Sequence, residues 1–156
     1  MSARTPRWAA LAVLALAGLS IGLWAYFFPV GWYERFPGFG RSWLPPLGPY
    51  NQHLVKDTGA LYLGLAVLAL LALWHHRNNA LAQAAGAAWL VFDVLHLVYH
   101  AQHLHVYDTT DKVLNVVLFG VLILASLLAM IPVTARTHTE SGTGVGAGGG
   151  GPVRGA

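Results

Sequence analysis

The chain has 156 residues, of which 56% are hydrophobic and only 10% charged, with a formal net charge of +3; the usual charged share is about 25%. With a mean hydropathy of +0.54, this composition excludes an ordinary water-soluble domain and predicts a single all-α integral membrane domain. Cysteine is absent, which excludes disulfides and thiolate chemistry, and the nine Lys and Arg are scattered singly, so the positive excess suits anionic lipid headgroups rather than nucleic acid.

Met1 to Arg7 is a short polar start carrying Arg4 and Arg7. From Trp8 to about Phe28 the chain is apolar and long enough to cross a bilayer, which takes about 20 residues. A secretory leader shares the basic start and apolar middle, with Ala15-Leu16-Ala17 as a cleavage-like triplet. The run continues past that triplet into an aromatic girdle at Trp24, Tyr26, Phe27 and Phe28, so a retained first helix over 8–28 is expected. Gly18 and Gly22 form a GxxxG pair. It serves either a dimer seam or, as the favoured reading, close packing inside the same bundle.

Residues 29–51 contain Pro29, Pro37, Pro45, Pro46 and Pro49, which forbid a long helix. The stretch is also rich in Trp32, Tyr33, Phe36, Phe39 and Trp43. A long Pro/Gly-rich loop of this aromatic content is expected at the membrane interface, as a lid or as a lipid anchor. A second helix is expected over 54–74, with His53, Lys56 and Asp57 in its first turns. The polar connection His75 to Asn79 leads to a third helix over 80–103, whose Ala82 and Gly86 are spaced for close approach. Asp108 and Asp111 read as an N-cap and first-turn pair opening a fourth helix over 112–131, and Pro132 helps to stop it. These four spans make one domain, 1–133, an integral membrane four-helix bundle that also reads as two helical hairpins. The Gly- and Thr-rich tail, 134–156, is expected to be disordered.

One stretch stands out. Trp89, Asp93, His96, His100 and His103 are spaced so that, at about 100° per residue, all five fall within roughly 80° on one face of the third helix. Ionisable groups at membrane depth are costly and mark candidate sites. His53 with Asp57, and Asp111 with Asn115, sit one turn apart at the same end of the second and fourth helices. Three helices thus direct polar groups towards one region near the outer leaflet.

Imidazoles at i and i+4 can share a metal. The candidate ligand set is His96, His100, His103 and His53, for zinc, iron or copper, with Asp93 or Asp57 as general base towards metal-bound water. Other readings stay open. Asp93 paired with His53 or His96 can be structural glue or a proton relay, Asp57 an interfacial charge, and Asp108 and Asp111 helix caps.

Three segments carry a resemblance: FPGFG at 36–40, GPYNQHLVKDTGALYLGLAVL at 48–68 and HLVYHAQHL at 96–104. They resemble those of a family of small, uncharacterised four-span bacterial membrane proteins, over about residues 8–132. More distantly, in size, four spans and a glycine in the second helix, the chain is similar to DoxX-like membrane proteins. That likeness implies a four-helix membrane bundle and a link to quinone-coupled oxidoreduction, and it transfers no catalytic residue. The functional expectation is therefore a metal-dependent or quinone-linked membrane oxidoreductase acting on a lipid-like or quinone-like molecule. The alternatives are a non-enzymatic accessory or assembly subunit of a larger membrane complex, a proton-coupled carrier, and, as an oligomeric state, a homo-oligomer. Arg4, Arg7 and Arg77 favour both termini in the cytoplasm of a cell-membrane protein.

Overall fold

The computed structural model describes residues 4–133; the expectation of a disordered tail concerns residues outside that range. The chain forms α1 (Arg4–Phe27), α2 (Pro29–Arg35), the strands β1 (Pro37–Gly38) and β2 (Arg41–Ser42), a 3-10 turn (Pro45–Leu47), α3 (Gln52–Trp74) and α4 (Asn79–Gln102). A second 3-10 turn (Leu104–Val106) leads to α5 (Thr109–Met130). Helices α1, α3, α4 and α5 are long and apolar enough to cross a membrane.

Three of these helices start earlier than their apolar runs, because a side chain caps each one. Asn51 accepts from the Leu54 amide at 3.2 Å, Asn78 from Leu81 at 3.1 Å and Asp108 from Asp111 at 2.8 Å. Each cap satisfies an amide that the first turn leaves without a partner. The helix therefore extends into polar sequence that hydropathy alone assigns to loop.

The stretch between α1 and α3 holds more regular structure than its prolines suggest. Pro29 sits at the start of α2, where its fixed φ fits and its missing N–H costs nothing. The hairpin pairs Pro37 with Ser42 and Gly38 with Arg41. Its two central residues, Phe39 and Gly40, both have positive φ, 57° and 76°, as a tight two-residue turn requires.

The long helices pack most closely as two hairpins, α1 with α3 and α4 with α5; α1 also meets α5, and α3 meets α4. We call the end holding the start of α1 and the end of α5 the base, and the opposite end the crown. The α1–α3 seam is built on Gly18, Gly22 and Gly59. A Cβ on Gly18 would lie 2.9 Å from the Tyr62 carbonyl oxygen, and one on Gly59 would lie 2.6 Å from the Tyr26 nitrogen. The GxxxG pair thus serves packing within the chain. On the other hairpin, Gly86 lies against α5, where a Cβ would come within 2.7 Å of the Ser126 carbonyl oxygen.

The core fills the base half: Leu11, Leu14, Ala69, Ala72, Ala82, Ala85, Trp89 and Ala129 are fully buried or nearly so. The Trp89 indole donates to the Leu65 carbonyl at 3.1 Å. Arg7, only 1% exposed, ties the base together. Its Nε donates to the Ala129 carbonyl at 3.1 Å, and its Nη1 donates to the His76 carbonyl at 3.2 Å and to Asn79 Oδ1 at 2.7 Å. Ala129 and His76 lie at the C-terminal ends of α5 and α3, where the helix dipoles are negative. Asn79 in turn accepts from the Val133 amide and donates to its carbonyl.

Candidate functional site

Towards the crown the two hairpins diverge around a cavity of about 820 Å³, within the usual range for a small-molecule site of about 300–1,000 Å³. Val13, Ala17 and Ser20 of α1 and Leu118, Val121 and Leu122 of α5 line one side. Leu54 and Thr58 of α3 and Leu95 and Tyr99 of α4 line another. Several of these residues, Leu54, Leu95 and Val121 among them, are exposed on the outer surface, so the cavity opens sideways between helices. Among the described residues the lining contains no Lys, Arg, Asp or Glu.

The aromatic segment forms the roof. Trp32, Tyr33, Phe36, Phe39 and Trp43 all line the cavity, and Phe36 packs edge-on against Trp43 with ring centres 5.9 Å apart. One contact braces the roof internally and two tie it to the α4–α5 region. Tyr33 donates to the Gly48 carbonyl at 2.7 Å, Tyr107 donates to the Trp43 carbonyl at 2.8 Å, and Arg41 pairs with Asp111 at the start of α5. Burial, with Tyr99 and Asp111 nearby, pushes the Tyr107 phenol up to about 12, so it remains a donor at any physiological pH.

The polar part of the cavity is a histidine pair on α4. His96 Nε2 and His100 Nε2 stand 3.0 Å apart, with their rings nearly parallel. Phe119 of α5 packs on both, 5.0 Å from each ring centre, and Phe92 closes the lower side at 5.2 Å from His96. Asn115, fully buried one turn before Phe119, donates from Nδ2 to the Asp111 carbonyl at 3.2 Å. Six buried side-chain polar atoms lack a partner among the described residues: Arg7 Nη2, Trp32 Nε1, Trp43 Nε1, Asp93 Oδ1, His100 Nδ1 and Asn115 Oδ1. Four of them belong to residues lining this one cavity. Buried polar groups are normally paired, so that concentration makes the cavity the candidate site.

The other candidate residues lie elsewhere. Asp93 is fully buried but lies below the cavity, where its Oδ2 accepts from Ser126 Oγ at 3.3 Å. Its partner is thus a hydroxyl on α5, not the histidine expected from the spacing. His103 leaves the stripe because α4 ends at Gln102. As the C-cap residue its ring stacks on Tyr99, and its Nδ1 bonds the Tyr99 carbonyl at 2.8 Å. His53 and Asp57 pair with each other at 3.2 Å on the solvent- or lipid-facing side of α3, their side chains 83% and 61% exposed. The close packing of α3 on α1 through Gly59 turns that face away from the cavity. Neither carboxylate is therefore placed as a base towards the histidine pair. The expected four-histidine ligand set is not assembled either: among the described residues no group of three or more His, Asp or Glu is positioned to hold a metal ion.

Asn115 and Phe119 line the cavity; the sequence marked Asn115 only as a polar residue one turn from Asp111, and Phe119 not at all. Asn115 and Ser126 are the only polar side chains along α5 after Lys112, and Phe119 lies one turn from Asn115 on the same face. Arg7 gave no such signal, since one arginine near a chain start reads as a topogenic charge. Compared with models of known families, with curated proteins and with solved structures, the chain matches none.

Proposed function

We propose that this is an integral membrane protein that binds a lipid-soluble, ring-bearing molecule of the quinone type in the crown cavity. The observation that carries this reading is the concentration of unpartnered buried polar atoms on Trp32, Trp43, His100 and Asn115 around one aromatic cavity. Flat rings stack on aromatic walls, a long apolar tail can leave through the sideways openings, and two imidazoles supply hydrogen bonds and proton exchange at the head. Among the described residues no charged side chain lines the cavity, which disfavours phosphate or carboxylate headgroups. The likeness of 48–68 and 96–104 to four-span bacterial membrane proteins, and the distant DoxX-like likeness, agree with such a role, which an oxidoreductase or an accessory subunit of one would share. We also place the base in the cytoplasm of a cell-membrane protein, because Arg4, Arg7 and Arg77 lie near span ends there; an exported reporter at the carboxyl terminus would reverse that orientation.

Quenching of tryptophan fluorescence by a short-tailed quinone, titrated into the detergent-purified protein, tests the binding. Saturable quenching that weakens about 5-fold in His100→Leu, with unfolding unchanged, is expected, since a lost hydrogen bond is worth about 1 kcal/mol. Quenching that never saturates, or is the same in the variant, removes the proposal. Metal content is measured on the same sample. Two nitrogens 3.0 Å apart also match neighbouring ligands on a metal at about 2.0–2.1 Å, and stoichiometric metal would replace the hydrogen-bonded pair by a metal-dependent site.

A further inference from the structure

We propose that the ligand of the crown cavity carries a single apolar tail, and that this tail runs down a groove between α1 and α5 towards the middle of the bilayer rather than out between α3 and α4. This rests on the cavity being a ligand site and specifies how its occupant lies.

The groove continues the polar end of the cavity along one helix face. Asn115, Leu118, Phe119 and Leu122 all line the cavity and follow one another at three- and four-residue steps, so they share a face of α5. Phe119 packs on both histidines, and Leu122 carries the same face one turn further towards the base. On α1 the facing stripe is Val13, Ala17 and Ser20, which descends about 10 Å at 1.5 Å per residue. The two helices run antiparallel. Val13 and Leu122 therefore lie at similar depth, about 12–14 Å from the base ends of their helices. The wall is apolar, because Ser20 turns its hydroxyl back to the Leu16 carbonyl at 2.7 Å. Val13, Leu118 and Val121 are 40%, 44% and 49% exposed, so the groove stays open to lipid along its length. It ends where Leu11 and Ala125 are buried and Arg7 bonds across to the Ala129 carbonyl.

The opening between α3 and α4 is closed below by aromatic rings. Tyr62, one turn beneath Thr58, meets Phe92, one turn beneath His96, edge-on with ring centres 5.0 Å apart. Tyr62 also packs on Trp89 at 6.0 Å. A tail sent this way must turn sideways into lipid within about a turn of the histidines, whereas the α1–α5 groove leads it parallel to the helices. Lipid chains are as apolar as a leucine wall, so the groove sets the direction of the tail more than it adds affinity. A ring compound with one chain needs only this open route. A diacyl lipid would need both.

A naphthoquinone whose tail of about 10 Å matches the descent of the α1 stripe, and ends in a photoreactive diazirine, tests this in the detergent-purified protein. The labelled peptides are read by mass spectrometry. The expected result is label within residues 13–20 or 118–122, suppressed by an excess of tail-less naphthoquinone. Suppressible label on α3, α4 or elsewhere in the chain overturns the tail's route and leaves the binding reading standing. Label that the tail-less compound does not suppress removes the binding reading and the route with it. The second arm uses Val121→Phe, at a position exposed enough to spare the core, which narrows the groove. Quenching titrations should show binding of the tailed quinone weakened by about 5-fold, the low end of the cost of overpacking, with binding of the tail-less one unchanged. Equal change for the two quinones, or none, overturns the route.

Discussion

The base and the crown are made by the same four helices, yet they are built on opposite terms. At the base, alanines and Gly86 bring the helices into direct contact around Trp89, and one buried arginine joins three chain segments. At the crown the hairpins part, large aromatic rings replace alanines, and four polar atoms around one space lack partners. Away from the cavity only two of the described buried side-chain polar atoms, Arg7 Nη2 and Asp93 Oδ1, lack partners, and they lie apart from each other. At the crown four such atoms share one cavity, which is the basis of the proposed binding site. The difference teaches that stability and site are separated along the helix axis, so each can be altered with little effect on the other.

The largest expected effect breaks the base. Arg7→Leu leaves the Ala129 and His76 carbonyls and Asn79 without their cationic partner. Hydrogen bonds to charged groups are worth about 1.5–3 kcal/mol each, part of which is offset by no longer burying the charge. A loss of about 3 kcal/mol in detergent unfolding, with ligand affinity retained in the folded fraction, is the expected outcome; a neutral change would show that Arg7 does not hold the base. Next comes Gly86→Val, which drives a side chain into the Ser126 backbone and Met130. Overpacking costs about 1–3 kcal/mol, so a clear fall in melting temperature is expected. If instead the melting temperature holds and the cavity affinity drops, the two halves are coupled and the separation fails.

The smallest effect sharpens the contrast, because it changes an arginine at the other end. Arg41 pairs with Asp111 while its side chain is 30% exposed, and pairs of that kind are worth about 0.2–1 kcal/mol. Arg41→Ala should barely move the melting temperature but should loosen the roof. A faster ligand off-rate in stopped-flow quenching, becoming similar to that of the wild type at high salt, is the outcome to look for. An off-rate insensitive to both the substitution and salt would mean that Tyr107 alone holds the roof.

Much of this was written in the sequence because it depends on local spacing. Apolar runs of sufficient length set the four long helices, and Asn51, Asn78 and Asp108 set where three of them begin. A 3.6-residue period put Trp89, Asp93, His96 and His100 on one face of α4, and all four are buried or half-buried. Periodicity says which residues share a face, however, and not what that face meets. His53 and Asp57 have spacing as suggestive as that of His96 and His100, yet the Gly18–Gly22–Gly59 seam fixes the rotation of α3 so that they point outward. His103 keeps the spacing but loses the site, because the helix stops one residue before it. Only the tertiary structure brought Asn115, Phe119 and the aromatic roof to the histidine pair, because those contacts join residues far apart in sequence. Helix rotation, set by which small residues allow two backbones to touch, decided which polar groups look into the cavity and which look away.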